Sequence, residues 1–270
     1  MACDSQGATL VPRHLCTSAK KSFGENGLLK VALSGACQTY TVSGQEDHPM
    51  RDKSRQLRRE VPTLVGLEGP RAFARQEAEW FVRDAFSAAY AADIAHFMPT
   101  LMTLRSDAGR LLAVLGLRTA GAAPLFLEQY LTAPVEQVLS GATGLPVARS
   151  QLVEVGNFAV GAAGGGRWLI TALTAFLHSA GSTWAVFTCG PELRNAFGRL
   201  GIGLVDLAPA DPSLLDAAER ERWGRYYDQK PRVMAANVAQ SHAVLAALFD
   251  KECTLNALWH DALQAGLLAA

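Results

Sequence analysis

The sequence predicts an α/β domain between about Pro62 and Asp228, with a mixed central sheet flanked by helices. Three observations predict this fold class. Apolar residues at helical spacing follow a short first strand, two β-rich segments enclose a turn sequence, and a later strand leads through a glycine-rich loop into a second helical stripe. Because strand, helix and strand then follow in succession, at least two strands are expected to be parallel.

The first predicted elements are a strand, a helix and a hairpin. Thr63 to Leu67 is an apolar run that ends at the breaker pair Gly69-Pro70. A helix follows, because apolar residues recur at the spacing of one helix face. They are Ala78, Phe81, Val82, Ala85, Phe86 and Ala89. Met98 to Arg105 and Arg110 to Arg118 flank a turn sequence, which predicts an antiparallel hairpin.

The second half of the domain alternates strand and helix. Gln151 to Val160 is a predicted strand, Gly161 to Gly166 a small-residue loop, and the next helix is expected to end at Gly181. Trp184 to Thr188 and Gly203 to Leu207 are predicted as strands on either side of a short helix.

Both ends of the chain lie outside this predicted domain, which is expected to span residues 61–232. Residues 1–60 lack sustained periodicity, and we expect a disordered N-terminal tail with a hint of strand at Val31 to Val42. Residues 233–270 are rich in Ala and Leu. They predict a C-terminal helical extension that packs on the domain or pairs two copies into a homodimer.

Composition restricts the partners and the location. Lys plus Arg and Asp plus Glu are balanced at 25 each, so no overall charge favours nucleic acid or an anionic membrane. Five scattered cysteines without a CxxC pair, and no histidine at metal-ligand spacing, indicate free thiols and no bound metal. No apolar run is long enough to span a bilayer, and the N-terminus lacks a signal-peptide pattern. A cytoplasmic location is therefore expected.

The loop Gly161 to Gly166 leads directly into a helix that begins near Arg167. Small residues let an anion approach free backbone N–H groups, and the helix dipole favours negative charge there. A pyrophosphate or a phosphopantetheine phosphate suits such a site, with Arg167 as its partner. The alternative is a turn that needs only small residues, since the loop lacks the spacing of a Walker or dinucleotide-binding loop.

The strand before this loop resembles a strand of the acyl-homoserine lactone synthases, which carries a Glu, then Ser-Arg and Phe-Ala. Glu154 and Phe158-Ala159 match that pattern. Gly156-Asn157 stand in place of Ser-Arg. The order of hairpin, strand, loop, helix, strand and helix is also similar to that of the GNAT N-acyltransferase fold, which implies a GNAT-like central sheet.

The GNAT resemblance implies how a donor binds. In that fold two parallel strands splay apart, and the pantetheine arm of a thioester enters the gap and pairs with exposed backbone. The resemblance therefore implies acyl-CoA or the acyl-phosphopantetheine of an acyl carrier protein as donor substrate, with no permanently bound cofactor. The residues expected to bind the donor are Phe158, Ala159, Val160, Gly164, Gly165, Gly166 and Arg167.

A wider resemblance extends over most of Arg75 to Met234. Several segments are similar to those of the thermostable hemolysin family, which implies a bacterial protein with an acyltransferase-like fold. The segments are His96-Phe97-Met98-Pro99, Leu115-Gly116-Leu117-Arg118, Leu125 to Leu131, Glu154-Val155-Gly156-Asn157, Leu193 to Phe197 and Arg225-Tyr226-Tyr227-Asp228.

Acyl transfer to an amine requires a base for the attacking nitrogen. Glu154 and Glu128 are the candidate bases, because both lie in apolar sequence where burial raises a carboxyl pKa. Tyr227 is the candidate acid for the leaving thiol. The alternatives are a backbone-bonded carboxylate for Glu154 and a cap or an ion pair, for instance with Arg118, for Glu128. Tyr227 alternatively belongs to an aromatic anchor.

Further residues are candidates for substrate binding. Asn157 orients the substrate or donates to the thioester carbonyl, unless it only forms a turn. His96, before the hairpin, is a substrate-binding residue or a packed histidine. Asn195, in a hemolysin-like segment, is a third candidate. Cys189 is expected to be a small core residue, because no activating histidine stands at a readable spacing.

These features predict an acyltransferase that moves an acyl group from a pantetheine thioester to a small amine acceptor, with an amino-acid-like acceptor as one option. Two alternatives from other classes stay open, because fold analogy alone does not define a reaction. They are a membrane-damaging hemolysin without enzymatic activity and a non-catalytic protein that binds acyl ligands.

Overall fold

A computed structural model describes residues 61–121, 123–161, 165–249 and 253–270. The predicted tail, residues 1–60, and the strand suggested at Val31 to Val42 lie outside the described residues. The strands are β1 (Leu64–Glu68), β2 (Thr100–Arg105), β3 (Leu111–Thr119), β4 (Leu152–Val160), β5 (Trp184–Cys189), β6 (Val205–Pro209) and β7 (Arg232–Asn237). The α-helices are α1 (Arg75–Tyr90), α2 (Val135–Thr143), α3 (Gly165–Ser179), α4 (Pro191–Arg199), α5 (Ala217–Arg222), α6 (Val238–Phe249) and α7 (Cys253–Ala269).

The strands form one sheet in the order β1-β2-β3-β4-β5-β7-β6. The pair β4–β5 is parallel and the other neighbouring pairs are antiparallel, including the predicted hairpin β2–β3. Helices α3, α4, α6 and α7 pack on one face of the sheet, whereas α1 and α2 pack on the other. The predicted fold class, a mixed central sheet flanked by helices and followed by C-terminal helices, is confirmed.

The C-terminal segment differs from the prediction. The predicted helical extension starts at residue 233, yet residues 232–237 form β7, which lies between β5 and β6. Val233 and Ala235 are fully buried in the sheet. A short apolar run buried on both faces has no strand periodicity, so its composition reads equally well as helix. The predicted boundary between residues 232 and 233 therefore divides a central strand, and helix begins only at Val238.

Helix α7 packs on the sheet and on α3. Gly266 lies so close to α3 that a Cβ there would be 2.4 Å from the Phe176 carbonyl oxygen. Asp261 Oδ2 accepts a hydrogen bond from the Val65 N–H of edge strand β1 at 2.6 Å. This carboxylate satisfies a backbone donor at the sheet edge, which exposed edges otherwise leave open for pairing with another chain.

Strands β4 and β5 separate partway along their length. They pair only between Leu152–Val155 and Trp184–Phe187. Beyond these pairs β4 continues to Val160 and β5 to Cys189. The backbone edges that face each other past Val155 and Phe187 are therefore left without a strand partner.

A β-bulge lies at the same point. The register of β3 against β4 shifts between Val114 and Gly116, so that Asn157 and Phe158 of β4 together face Leu115 of β3. The bulge places Asn157 in the left-handed region, at φ 48°, a conformation that Asn tolerates better than most residues. Bulges redirect side chains and end pairing, as this one does beside the gap between β4 and β5.

Candidate active site

A cavity of about 380 Å³ opens where β4 and β5 separate. On the α3 side its wall includes Leu173, Leu193, Ala196, Phe197 and the β5 residue Phe187. On the opposite side it includes Phe86, Tyr90, Arg118, Phe126, Tyr130, Glu154, Trp223, Tyr226 and Tyr227. Because residues of both sheet faces line it, the cavity passes through the sheet at the gap between the two strands.

Glu154 lies in the wall of this cavity with its side chain only 2% exposed. Its Oε1 accepts from the Leu127 N–H at 2.9 Å, and its Oε2 accepts from the Phe126 N–H at 3.2 Å. Burial raises the pKa of Glu154, although the two backbone N–H groups and Arg118 act in the opposite direction. Glu154 is thus a backbone-anchored carboxylate with a raised pKa. A raised pKa is what a general base requires, and the role of base stays a prediction.

Glu128 occupies a different environment and does not line the cavity. Its carboxylate accepts from the Leu125 and Val135 N–H groups at 2.6 and 2.9 Å and from both terminal nitrogens of Arg149 at 2.7 and 2.9 Å. Chiefly through Arg149, the pKa of Glu128 falls from its ordinary 4.5 to about 2. A carboxylate held this way is a poor base, so the geometry favours the structural alternative, with Arg149 rather than Arg118 as its ion-pair partner.

Tyr227 lines the cavity, and its hydroxyl shares a hydrogen bond with the hydroxyl of Tyr130. Burial raises the pKa of Tyr227 to about 12 and raises that of Tyr130 further. Trp223 and Tyr226 both pack edge-on against it, with ring centroids 6.1 and 5.2 Å away. Tyr227 is therefore both part of an aromatic anchor and a hydroxyl at the cavity wall.

Asn157 and His96 meet at the mouth of the cavity. Asn157 Oδ1 accepts from the Met98 N–H at 2.9 Å, and its Nδ2 donates to the His96 carbonyl at 3.4 Å. The approach requires a glycine on β3, because a Cβ at Gly116 would lie 2.7 Å from Asn157 Oδ1. The Asn157 amide thus holds the segment before β2 in place, and the exposed His96 lies beside it.

The predicted donor-binding residues lie in different places. Phe158, Val160 and Gly166 line the cavity. Ala159 is buried instead in the cluster around α1. Gly165 begins α3 so close to Val160 that a Cβ would meet the Val160 Cβ at 3.0 Å. Gly164 lies outside the described residues, and Arg167 is exposed and is not part of the cavity wall.

Asn195 is not brought to the site. It lies on an exposed face of α4, whereas Leu193 and Ala196 of the same helix line the cavity. Helical spacing separates these faces, and the sequence motif alone does not say which face points inward. Cys189 does line the cavity, and burial raises its thiol pKa to about 11, so the thiol stays protonated at neutral pH.

Several cavity residues were not among the sequence candidates. Arg118, considered only as a partner for Glu128, pairs across the β3–β4 register with Glu154. Tyr130 and Trp223 reach the wall from the 3₁₀ turn Phe126–Tyr130 and the segment after α5. The hydrophobic, aromatic composition of those segments was a signal for burial, but it does not identify the surface on which they pack.

The described part of the chain contains neither a metal-binding cluster nor a membrane-spanning helix. No group of three or more His, Cys, Asp or Glu side chains is arranged to hold a metal ion among these residues. None of the described helices combines the length and the apolar character needed to cross a bilayer.

The chain is similar to several proteins of solved structure. FeeM, an N-acyl amino acid synthase from uncultured soil microbes, is 18% identical, with 69% of this chain and 97% of that chain covered and a TM-score of 0.47. BjaI, a CoA-dependent acyl-homoserine lactone synthase solved with SAM and isopentyl-CoA, is 11% identical over 74% of this chain and 99% of its own, with a TM-score of 0.48. A spermidine N-acetyltransferase from Vibrio cholerae, in complex with CoA and spermine, is 9% identical over 66% and 98% of the two chains, with a TM-score of 0.41.

Similarities at these identities assign neither a substrate nor a reaction. A comparison with functionally curated proteins finds no match. The model of one protein family, described as thermostable hemolysin, matches residues 69–242, which is more than half of the sequence. The chain belongs to the thermostable hemolysin family.

Proposed function

We propose that the protein is an acyltransferase that moves an acyl group from a pantetheine thioester, acyl-CoA or an acyl carrier protein, to a small amine. One observation carries this proposal. Strands β4 and β5 pair only as far as Val155 and Phe187, and the gap beyond them opens into a cavity that also contains the buried carboxylate of Glu154.

The gap suits the pantetheine arm of a donor. Past Val155, β4 pairs with β3 on one edge only, so the backbone groups on its other edge have no strand partner. Backbone N–H and C=O groups at a largely apolar wall need hydrogen-bond partners. An extended chain with amide groups supplies them by adding a strand. Gly166, in the first turn of α3, also lines the cavity and offers a helix N-terminus to the donor's phosphate.

The apolar side of the cavity suits an acyl chain. Leu173, Phe187 and Phe197 line it from the α3 face, and the two Phe rings stack with centroids 5.1 Å apart. These side chains offer no hydrogen bonds but a continuous apolar surface, which stabilises buried methylene groups by about 0.8 kcal/mol each. We assign the acyl chain to this wall.

The chemistry requires two proton movements. The amine enters as an ammonium and transfers one proton to the Glu154 carboxylate, which later releases it to water. Its nitrogen lone pair then attacks the thioester carbonyl carbon, the C–N bond forms and the C–S bond breaks. The departing thiolate takes a proton from the Tyr227 hydroxyl. As the amide forms, the nitrogen loses its second proton, and this proton returns to Tyr227. The raised pKa of Glu154 supports the role of base.

The proposal is tested with purified protein, a series of acyl-CoA donors of different chain length, and a mixture of small amines. We expect release of free thiol together with an equal amount of N-acyl product, detected by mass spectrometry. Ala196→Trp, which fills the cavity from α4, should abolish both. Binding of acyl-CoA without any product would instead identify a non-catalytic acyl-ligand-binding protein, and neither binding nor transfer would show that the cavity serves another purpose.

A further inference from the structure

We propose that the acceptor is an α-amino acid with an apolar side chain, whose carboxylate binds Arg118 while its amine faces Glu154. This inference rests on the proposed acyl transfer and adds the chemical class of the acceptor. The observation behind it is a guanidinium and a carboxylate placed side by side in the cavity wall, with the guanidinium making no hydrogen bond in the described part of the chain.

Arg118 and Glu154 are directly opposite each other on β3 and β4. The nearest approach of the two side chains is 3.8 Å, from Arg118 Nη1 to Glu154 Oε2, which is too long for a hydrogen bond. The Arg118 side chain is 35% exposed and the Glu154 side chain is 2% exposed. The pair is thus open to the cavity on the arginine side.

Among the described residues, the other arginines that are at least partly buried have hydrogen-bond partners. Arg75 donates to the Glu68, Met98 and Pro99 carbonyls and to Glu79. Arg149 donates to Glu128, Glu136 and two backbone carbonyls. The Arg118 guanidinium donates no hydrogen bond to any residue in the part of the chain that the structure describes. Its planar fork of donors matches a carboxylate bidentately.

Arg118 is not needed to hold Glu154. The carboxylate is already fixed by the backbone N–H groups of Phe126 and Leu127. Each of its oxygens keeps a further lone pair for another donor. An α-amino acid carries an ammonium and a carboxylate on one carbon, so its two charges complement this neighbouring carboxylate and guanidinium.

The remaining charges of the cavity agree with a zwitterion. Acidic and basic side chains both line it, namely Asp93, Glu192, Glu219, Arg199 and Arg222. A polyamine would be recognised by acidic groups without competing arginines. A polyanion would be recognised by basic groups without competing carboxylates. A mixed set suits a ligand of both signs.

Aromatic rings in the cavity wall are the reason for proposing an apolar side chain on the acceptor amino acid. Phe126, Tyr130, Trp223 and Tyr227 line the same side of the cavity as Glu154, with the Phe126 and Trp223 centroids 5.8 Å apart. Such a wall favours an apolar side chain of the acceptor by removing its surface from water. The acyl chain lies on the opposite, α3 side, so donor and acceptor approach from the two faces of the sheet.

The test uses acceptors that differ only in the carboxylate: L-leucine against isopentylamine, and L-phenylalanine against 2-phenylethylamine, with one acyl-CoA. We expect wild-type kcat/KM to favour each amino acid by about 10- to 100-fold, the range for a hydrogen-bonded charge. Arg118→Met should bring this ratio close to one, and Arg118→Lys should leave an intermediate ratio. Arg105→Met, an arginine of the same hairpin outside the cavity, should keep the wild-type ratio.

The ratio of kcat/KM between an amino acid and its matching amine separates recognition of the acceptor carboxylate from the acyl-transfer step. Loss of Arg118 also alters the charge beside Glu154, but that change affects both acceptors of a pair equally and cancels. Equal use of amino acid and amine by the wild type, a preference for spermidine, or an unchanged ratio in a folded Arg118→Met protein would overturn the amino-acid site while acyl transfer stands. Absence of thiol release with every acceptor would overturn the proposed function and this inference with it.

Discussion

Glu128→Gln isolates the structural role that the fold gives to this carboxylate. The substitution keeps the size of the side chain but removes the charge that faces Arg149. It also leaves one amide NH₂ group in place of an oxygen that accepts from the Leu125 or Val135 N–H. The variant should therefore lose stability while the cavity, which Glu128 does not line, keeps its shape.

The expected loss of stability follows from the pKa of Glu128. Folding lowers the pKa of Glu128 from 4.5 to about 2, and the side chain is only 12% exposed, so solvent screening is small. Each pKa unit corresponds to about 1.4 kcal/mol, so the charged form is stabilised by about 3 kcal/mol. Because the folded pKa is the lower one, this stabilisation is complete above about pH 4.5 and is lost as the pH falls toward 2.

Urea denaturation of wild type and Glu128→Gln at several pH values measures how much the charged Glu128 stabilises the fold. At pH 7 Glu128→Gln should lower the free energy of unfolding by about 3 kcal/mol, or the melting temperature by roughly 6–12 °C. The difference from wild type should shrink as the pH falls from 4.5 to 2. Glu77→Gln, which removes an exposed partner of Arg105, should cost less than about 1 kcal/mol.

Two results would refute this reasoning. A stability loss of less than about 1 kcal/mol at pH 7, or one that does not depend on pH, would show that the ion pair with Arg149 contributes little. A loss of acyl-transfer rate at temperatures where Glu128→Gln remains folded would return Glu128 to the catalytic role that the sequence suggested.

Other predictions concern the cavity wall. Phe197→Leu should shift the preferred acyl-CoA toward longer chains in kcat/KM, because Phe197 and Phe187 separate the cavity from a small void in the core; an unchanged preference would place the acyl chain elsewhere. Asn157→Ala should melt at a lower temperature than Asn157→Gly, because glycine tolerates the positive φ at this position; the reverse order would contradict the strain. Cys189, with a thiol pKa of about 11, should react with iodoacetamide only slowly at pH 7.5 and faster toward pH 11. Fast labelling of the folded protein at neutral pH would instead show an exposed, activated thiolate.

Most elements of the fold could be predicted because their signals are local. The apolar stripe of α1, the hairpin β2–β3 and the succession β4, α3 and β5 each depend on residues within a few turns or a short run of chain. The strand β7 could not be recognised in this way. Its burial depends on its place between β5 and β6, which are distant in sequence, and an apolar run without alternation is compatible with a helix.

The site was harder to predict because it depends on distant partners. Glu128 and Glu154 both stand in apolar sequence, yet Glu128 meets Arg149 and Glu154 meets backbone N–H groups 27 and 28 residues away. These opposite environments lower one pKa and raise the other. Arg118 likewise acquires its place beside Glu154 only through the register of β3 on β4.

The interaction of Glu154 with the backbone also changes how its substitution must be interpreted. Both carboxylate oxygens accept from N–H groups, of Phe126 and Leu127, so Glu154→Gln places an NH₂ group against one of these donors. An unsatisfied buried donor costs about 1–3 kcal/mol, although the loss of a buried charge offsets part of it. The variant therefore needs a melting curve beside its activity.

The acyl-transfer rate of Glu154→Gln against that of the wild type is the most direct test of the central claim. With acyl-CoA and L-leucine, the wild-type protein should release thiol and form an equal amount of N-acyl product. Glu154→Gln, measured below its melting transition, should transfer at least about a hundredfold more slowly, as expected for loss of a general base. No thiol release by the wild type from any donor, or transfer by folded Glu154→Gln at the wild-type rate, would contradict the claim that this cavity and its buried carboxylate carry out acyl transfer.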